Sequence, residues 1–262
     1  EAIDLGFDKT TLHQRDAVLK IEVGGLERTP VEISAEILKA LAMRAEAHLG
    51  EPVGRAVVTV PAHFDDTQRQ ATRQAGRLAG LEVMRLLNEP TAAALAYGLD
   101  KRKEGCFAIF DLGGGTFDIS ILQLSDGLFE VMSTGGDSQL GGDDFDRIVA
   151  QRILEKEGLD FNALMPSEAR RALLAAERLK IELSTDFQGS FSLDIDGESP
   201  INAVLSRDQY TRIISAVLER VNEPVLQALT DAKIRKEHLD GVVMVGGSTR
   251  SPMVQKHVAN LF

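Results

Sequence analysis

The chain has 262 residues, 44% hydrophobic and 26% charged, enough for one large or two modest globular domains with a buried core. Its formal net charge of −11 argues against a nucleic-acid surface, because binding to a phosphate backbone is driven by cationic side chains. No apolar run approaches the roughly 20 residues of a spanning helix, so no membrane crossing is expected. The single cysteine, Cys106, precludes an internal disulfide and a Cys-based metal site of its own, and in the run "CFAIF" it reads as a buried, inert thiol.

Taken in chain order, "AVLKIEV" suggests a strand at 17–23. "SAEILKALAMRAEAHLG" reads as a helix capped by Ser34 and ended by Gly50, with Ile37, Leu38, Leu41, Ala45 and Leu49 as its apolar stripe. "AVVTV" (56–60) is a short strand stopped by Pro61. "DDTQRQATRQAGRLAG" is a helix with an Asp cap and a closing Gly80, "LEVMRLL" a further strand, and Pro90 suits the start of the next helix. Strand and helix thus alternate over residues 1–98, as in an α/β layer. Strands flank the glycines of "AIFDLGGGTFDISIL" (108–122), and "LFEVMST" adds a third. Helices follow in "DDFDRIVAQRILEKEG" and "PSEARRALLAAERLKIELS", then a short β segment within 187–205. Ser206 and Gln209 form a capping-box pattern for a long helix to about 232, with a kink at Pro224. "GVVMVGGSTRSPMVQKHVANLF" runs strand, glycine turn, helix. Two α/β regions are expected, 1–104 and 105–262, the second with a smaller α+β insertion at about 143–225.

The three glycines carry the chemistry. After Gly115, Phe117, Ile119 and Ile121 alternate with Asp118 and Ser120, a period of two that makes the second flank a strand. A Walker-type loop would need a lysine and a helix there. "DLGGGTFD" is therefore the turn of a β-hairpin, whose glycines permit positive φ and present bare N–H groups to an anion. Asp111 and Asp118 would repel a phosphate unless a cation such as Mg²⁺ intervened, directly or through water. A generic glycine-rich hairpin is the alternative.

"DLGGGTFD" resembles the second phosphate loop of the heat shock protein 70 chaperones, within the actin/hexokinase-like ATPase superfamily. "VTVPAHFDDTQRQAT", "RLLNEPTAAALAYGLD", "GGDSQLGGDDFD", "AAERLKIELS" and "VMVGGSTRSPMVQ" agree in the family's order and cover nearly all of residues 31–262. Several are long enough to make chance agreement negligible. "FDDTQRQ", "RLLNEPTAAA" and the compact segment after Ser184 resemble most the bacterial iron–sulfur assembly members of the HscA type, with DnaK-type members a close second.

The resemblance implies an actin/hexokinase-like α/β fold with ribonuclease H-like subdomains, truncated at both ends, binding ATP or ADP with Mg²⁺. By it, Asp111 and Asp118 organise the metal and the attacking water, Thr116 offers a hydroxyl near the γ-phosphate, and Gly113, Gly114 and Gly115 supply amides. Glu89 matches a carboxylate at the catalytic centre, although a helix cap is the alternative. Gly141 and Gly142 match a second glycine pair near the phosphates. Glu177, Lys180 and Ser184, spaced i, i+3 and i+7 on one helix face, match adenosine contacts; by spacing alone they are an ordinary solvated face. Gly246, Gly247, Ser248 and Arg250 occupy a strand-to-helix turn able to meet the nucleotide. Pro61 and Arg69 match a relay between nucleotide and substrate domains; taken alone they are a strand end and a surface arginine.

Some positions depart from the family pattern. "AIDLGF" at 2–7 lacks the paired threonines of the first phosphate loop and lies too close to Asp111, so that loop and the catalytic lysine are expected upstream, with a peptide-binding domain downstream of Phe262. The abrupt start without Met fits a piece of a longer chain. His63 stands where the family usually has tyrosine, and Ile181 implies aliphatic stacking on the base. Implied partners are a J-domain co-chaperone and a client peptide or iron–sulfur scaffold protein, for a monomer in the bacterial cytoplasm. A sugar or acid kinase of the superfamily and an actin-like filament subunit are the competing functions. The kinase would leave "VPAHFDDTQRQ" and "NEPTAAA" without a reason to match, and polymerisation on adding ATP would mark the filament subunit.

Overall fold

A computed structural model describes residues 19–23, 25–195 and 199–262. The "AIDLGF" segment and residues 17 and 18 of the first expected strand lie outside them. The remainder of that strand is short: β1 (Ile21–Val23) pairs antiparallel with β2 (Leu26–Arg28). The described chain forms two compact units that divide between Ala92 and Ala93.

In the first unit, α1 (Pro30–Leu49) starts four residues before the expected Ser34 cap. Thr29 is the cap: its hydroxyl accepts the Glu32 N–H at 3.2 Å, and the Glu32 carboxylate accepts the Thr29 N–H at 2.7 Å. Gly50 ends the helix with φ 75°, as expected. The covered face, however, is Ala35, Leu38, Ala42 and Ala45, whereas Ile37 (58% exposed) and Leu41 (52%) point outward. Helix α1 packs on α2 (Asp66–Leu78), and alanines at helical spacing let two backbones approach where Ile and Leu would not. Strand β3 (Arg55–Val60), α2 and β4 (Glu82–Asn88) make a parallel βαβ unit, with an Asp65–Gln68 capping box opening α2. Helix α3 (Glu89–Ala96) starts directly after β4.

The second unit is built on a sheet of order β10-β5-β6-β7, comprising β5 (Glu104–Leu112), β6 (Phe117–Ser125), β7 (Leu128–Asp137) and β10 (Gly241–Val245). Strand β5 is buried on both faces, which is why its sequence is a continuous apolar run rather than an alternation. Cys106, Ala108, Phe110 and Leu112 face the main core with Phe117, Ile119 and Ile121 of β6. Phe107 and Ile109 face a smaller cluster with Leu122, Leu124, Val243, Ala94 and Leu99. The main core is closed by α4 (Gly142–Lys156), α5 (Pro166–Thr185), α6 (Arg207–Leu218), α7 (Asn222–Ala232) and α8 (Pro252–Leu261). The β segment expected within 187–205 is a hairpin of β8 (Gln188–Leu193) and β9 (Ile201–Ser206), packed on α5.

The Ser206–Gln209 capping box opens α6 as expected. The long helix is not continuous, since Glu219–Val221 forms a 3-10 turn between α6 and α7. Pro224 has no N–H for the carbonyl one turn earlier, and its ring crowds that carbonyl, so the break falls upstream of the proline itself.

Phe110, fully buried with its ring centroid 4.7 Å from that of Phe117, anchors this core. Phe110→Ala should lower unfolding stability by about 3–5 kcal/mol in urea denaturation, against less than about 1 kcal/mol for Val204→Ala on the exposed side of β9.

Candidate functional site

The tip of the β5–β6 hairpin lies at the C-terminal end of β5, where β10 also ends. The register sets Asp111 directly opposite Asp118 and Leu112 opposite Phe117, and the Gly113 N–H closes the turn on the Thr116 carbonyl at 3.0 Å. None of Gly113, Gly114 and Gly115 has positive φ, contrary to the sequence expectation. What they supply instead is bare backbone. Gly114, Gly115 and Thr116 are exposed, and a Cβ on Gly115 would meet nothing within 4 Å.

The carbonyls of this tip are held from behind. Gly113 O accepts the Gly142 N–H at 3.0 Å and the Ser248 hydroxyl at 2.8 Å, while Gly114 O accepts the Asp143 N–H at 2.8 Å. These bonds require glycine at the neighbours. A Cβ on Gly141 would lie 2.1 Å from Gly114 O, and one on Gly142 would lie 2.4 Å from Ser248 Oγ. Gly246 has φ 90° and passes so close to β5 that a Cβ would lie 2.2 Å from Leu112 O. The loop before α4 is fixed in turn. The Gly141 N–H donates to Asp144 at 2.8 Å, and Arg220 donates to Asp137 at 2.6 Å and to the Gln139 carbonyl at 3.0 Å.

Asp111 and Asp118 are both half-buried. Opposed residues on antiparallel strands have Cβ atoms about 4.5–5.5 Å apart, and like charges there destabilise the pair. Burial, and then the charge of Asp118, raise the Asp111 carboxyl above its ordinary range. Two carboxylates suit a hard cation that takes its other oxygens from water or phosphate. Among the described residues no group of three His, Cys, Asp or Glu could cage a metal, so protein oxygens alone do not make a closed site.

Helix α5 supplies a half-buried cation at this end of the core. Lys180 Nζ donates to Asp146 of α4 at 2.5 Å and to the Gly142 carbonyl at 3.1 Å. Burial pushes the Asp146 carboxyl up to about 6 against the pull of Lys180, and Glu177 and Asp143 push the same way. Glu177 is exposed on the same helix, and the Ser184 hydroxyl donates back to the Lys180 carbonyl at 3.0 Å. Gly247, Ser248 and Arg250 form a 3-10 turn after β10, with Ser248 inward on the hairpin and Arg250 exposed. Asp111, Thr116, Asp118, Gly113, Gly114, Gly115, Gly141, Gly142, Lys180, Gly246 and Ser248 are thus brought to one end of the second unit.

Glu89, Pro61 and Arg69 belong to the first unit. Arg69 donates to the carbonyls of Phe64 (2.9 Å) and Ala62 (3.3 Å) and to Asn88 Oδ1 (2.9 Å), tying the loop after Pro61 to the residue before Glu89. Glu89 is half-buried in the first turn of α3. Asn88, Asp143, Asp144 and Asp146 were not singled out in the sequence. Only Asp144 carried a legible signal, an acidic residue three positions after Gly141 at a helix start.

Two expectations follow from this geometry. Gly141→Ala must displace the hairpin backbone and should cost at least about 1–3 kcal/mol of stability, whereas Gly115→Ala should melt within about 1–2 °C of the parent. Asp111 favours its protonated form in the fold, so its contribution to stability is greatest at low pH and fades as pH rises through its raised pKa. Asp111→Asn should therefore melt higher than the parent at pH 8 and no higher at pH 4, as read by thermal denaturation.

Residues 3–262 match the profile of a family described as Hsp70 protein. A chaperone protein HscA homolog of Burkholderia ambifaria is 48% identical over 235 residues, covering 90% of this chain and 38% of the relative. An HscA homolog of Neisseria meningitidis is 47% identical over 269 residues, covering 98% and 43%. A chaperone protein dnaK of Cyanidioschyzon merolae is 49% identical over 241 residues, covering 88% and 40%. The chain spans about two fifths of the length of these relatives.

Proposed function

The chain belongs to the Hsp70 family, whose members share the actin/hexokinase-like ATPase fold, and from that premise we propose that it is the ATP-binding domain of a molecular chaperone that couples ATP hydrolysis to client binding. The observation that carries this reading is the β5–β6 tip, with exposed glycine amides between two opposed aspartates. On this reading the first unit belongs to lobe I and the second to lobe II, with a smaller α+β subdomain inserted at about 143–225.

The amides of Gly114 and Gly115 face the phosphates. Thr116 places its hydroxyl beside the terminal one. Asp111 and Asp118 would hold Mg²⁺, directly or through water, and orient the attacking water. Magnesium, when bound with the triphosphate, supplies charge neutralisation; the residues supply position, and phosphoryl transfer to water depends mostly on those two things. Lys180, Glu177, Ser184, Gly246, Gly247, Ser248 and Arg250 receive the nucleoside, and Gly141 and Gly142 back the phosphates. In the first unit, Glu89 senses the nucleotide, while Pro61 and Arg69 pass its state to a substrate domain.

HscA-type work in iron–sulfur protein maturation, in a bacterial cytoplasm with a J-domain partner, is the finer form of the proposal, supported by the HscA names among the relatives. A general protein-folding role of the DnaK type is the second reading, favoured by the 49% identity to a dnaK protein.

The full-length protein should hydrolyse ATP slowly with Mg²⁺ and be stimulated several-fold by a J-domain protein together with a peptide. Asp118→Asn should reduce that turnover at least about tenfold while ADP binding persists. Phosphate transfer to a sugar or organic acid, without J-domain stimulation, would replace the chaperone reading with the kinase one.

A further inference from the structure

The Lys180–Asp146 ion pair is deeply buried, with side chains 14% and 6% exposed. Withdrawing two charges from water is costly, and such a pair is seldom more stabilising than apolar residues of the same volume. Nor does Asp146 complete a core network. Its Oδ1 is buried with no hydrogen-bond partner among the described residues, and so is the nearby Tyr210 hydroxyl. A geometric task explains its place better.

An ammonium has three N–H donors. Asp146 and the Gly142 carbonyl engage two of those on Lys180, which leaves one for a ligand. The same Gly142 donates its N–H to Gly113 O, the oxygen that also receives Ser248. A Cβ at residue 142 would stand 3.0 Å from Lys180 Nζ. The carboxylate thus sets where the cation sits relative to the glycine hairpin and the β10 turn.

We propose that Asp146 is a positioning residue of the nucleotide site, fixing the Lys180 ammonium against the Gly142 carbonyl so that its remaining N–H meets the bound nucleotide. The inference rests on the reading of Lys180 as a nucleotide contact. The groups that face Asp146 are Lys180 and Glu177 on α5, Asp143 on its own helix and Tyr210 on α6. Burial raises its carboxyl to about 6, so the anchor is mostly charged at pH 7.5 and mostly neutral at pH 5.5.

The test is ADP binding by calorimetry to the full-length protein. Lys180→Met and Asp146→Asn should each raise the Kd about tenfold, and the double variant should be no weaker than Lys180→Met alone. An unchanged or tighter Kd in Asp146→Asn, or a penalty that persists in the Lys180→Met background, would overturn the positioning role. An unchanged Kd in Lys180→Met would instead overturn the reading of Lys180 itself. If Asp146→Asn does not fold, the unmutated protein decides. From pH 7.5 to 5.5 it should lose several-fold more ADP affinity than Lys180→Met, whose titration already contains the nucleotide's own protonation, and equal losses would sink the proposal.

Discussion

The second unit depends on one close approach, in which the carbonyls at the tip of the β5–β6 hairpin are gripped by backbone from two other elements. The start of α4 takes Gly113 O and Gly114 O, and the turn after β10 supplies Ser248 to Gly113 O. Backbone can come this near only where side chains are missing, which is why Gly141, Gly142 and Gly246 surround the tip. The Gly113 N–H closes the turn, Gly114 and Gly115 remain exposed with no side chain over their backbone, and a potentially flexible stretch is held in one conformation. Fixed catalytic donors work because they need no reorganisation when charge develops on the ligand.

That constraint explains which parts of the site could be read in advance. The hairpin was legible because Phe117, Ile119 and Ile121 alternate after the glycines, and strand period is a local property of sequence. The caps at Asp65 and Ser206 were legible for the same reason, since each motif closes within four residues. The role of the glycines was half legible. Their abundance signalled unusual backbone, but positive φ was expected at 113–115, whereas φ is positive at Gly246, and the tightest approaches to the hairpin fall at Gly141 and Gly246. A sequence shows that a Cβ is absent and not what would have struck it.

Helix α1 shows a different failure. Its large apolar residues and its alanines both recur at helical spacing, and the large ones look like the better stripe. The structure keeps only part of that stripe: Leu38 and Ala45 are covered together with Ala35 and Ala42, while Ile37, Leu41 and Leu49 are exposed. Asp146 failed for a third reason: it and Lys180 are 34 positions apart and meet only because α4 packs on α5. Nothing in "GGDDFD" distinguishes an aspartate that caps a helix from one that anchors a lysine. In this chain Asp144 does the first and Asp146 the second.

The electrostatics then fit together without a basic surface. A chain of net charge −11 is a poor host for a long polyanion, whose binding sums many cationic contacts over a distance comparable to the Debye length. A nucleotide needs only short-range complementarity. On the proposed reading this comes from glycine N–H dipoles, Lys180, Arg250 and a divalent ion. The lysine is already half neutralised by Asp146, and Asp111 and Asp118 add negative charge beside the phosphates. The protein's own charges therefore cannot balance a triphosphate. On that reading an acidic site of this kind would hold the phosphates well only when the cation arrives with them, which would make binding conditional on the metal as well as on the nucleotide.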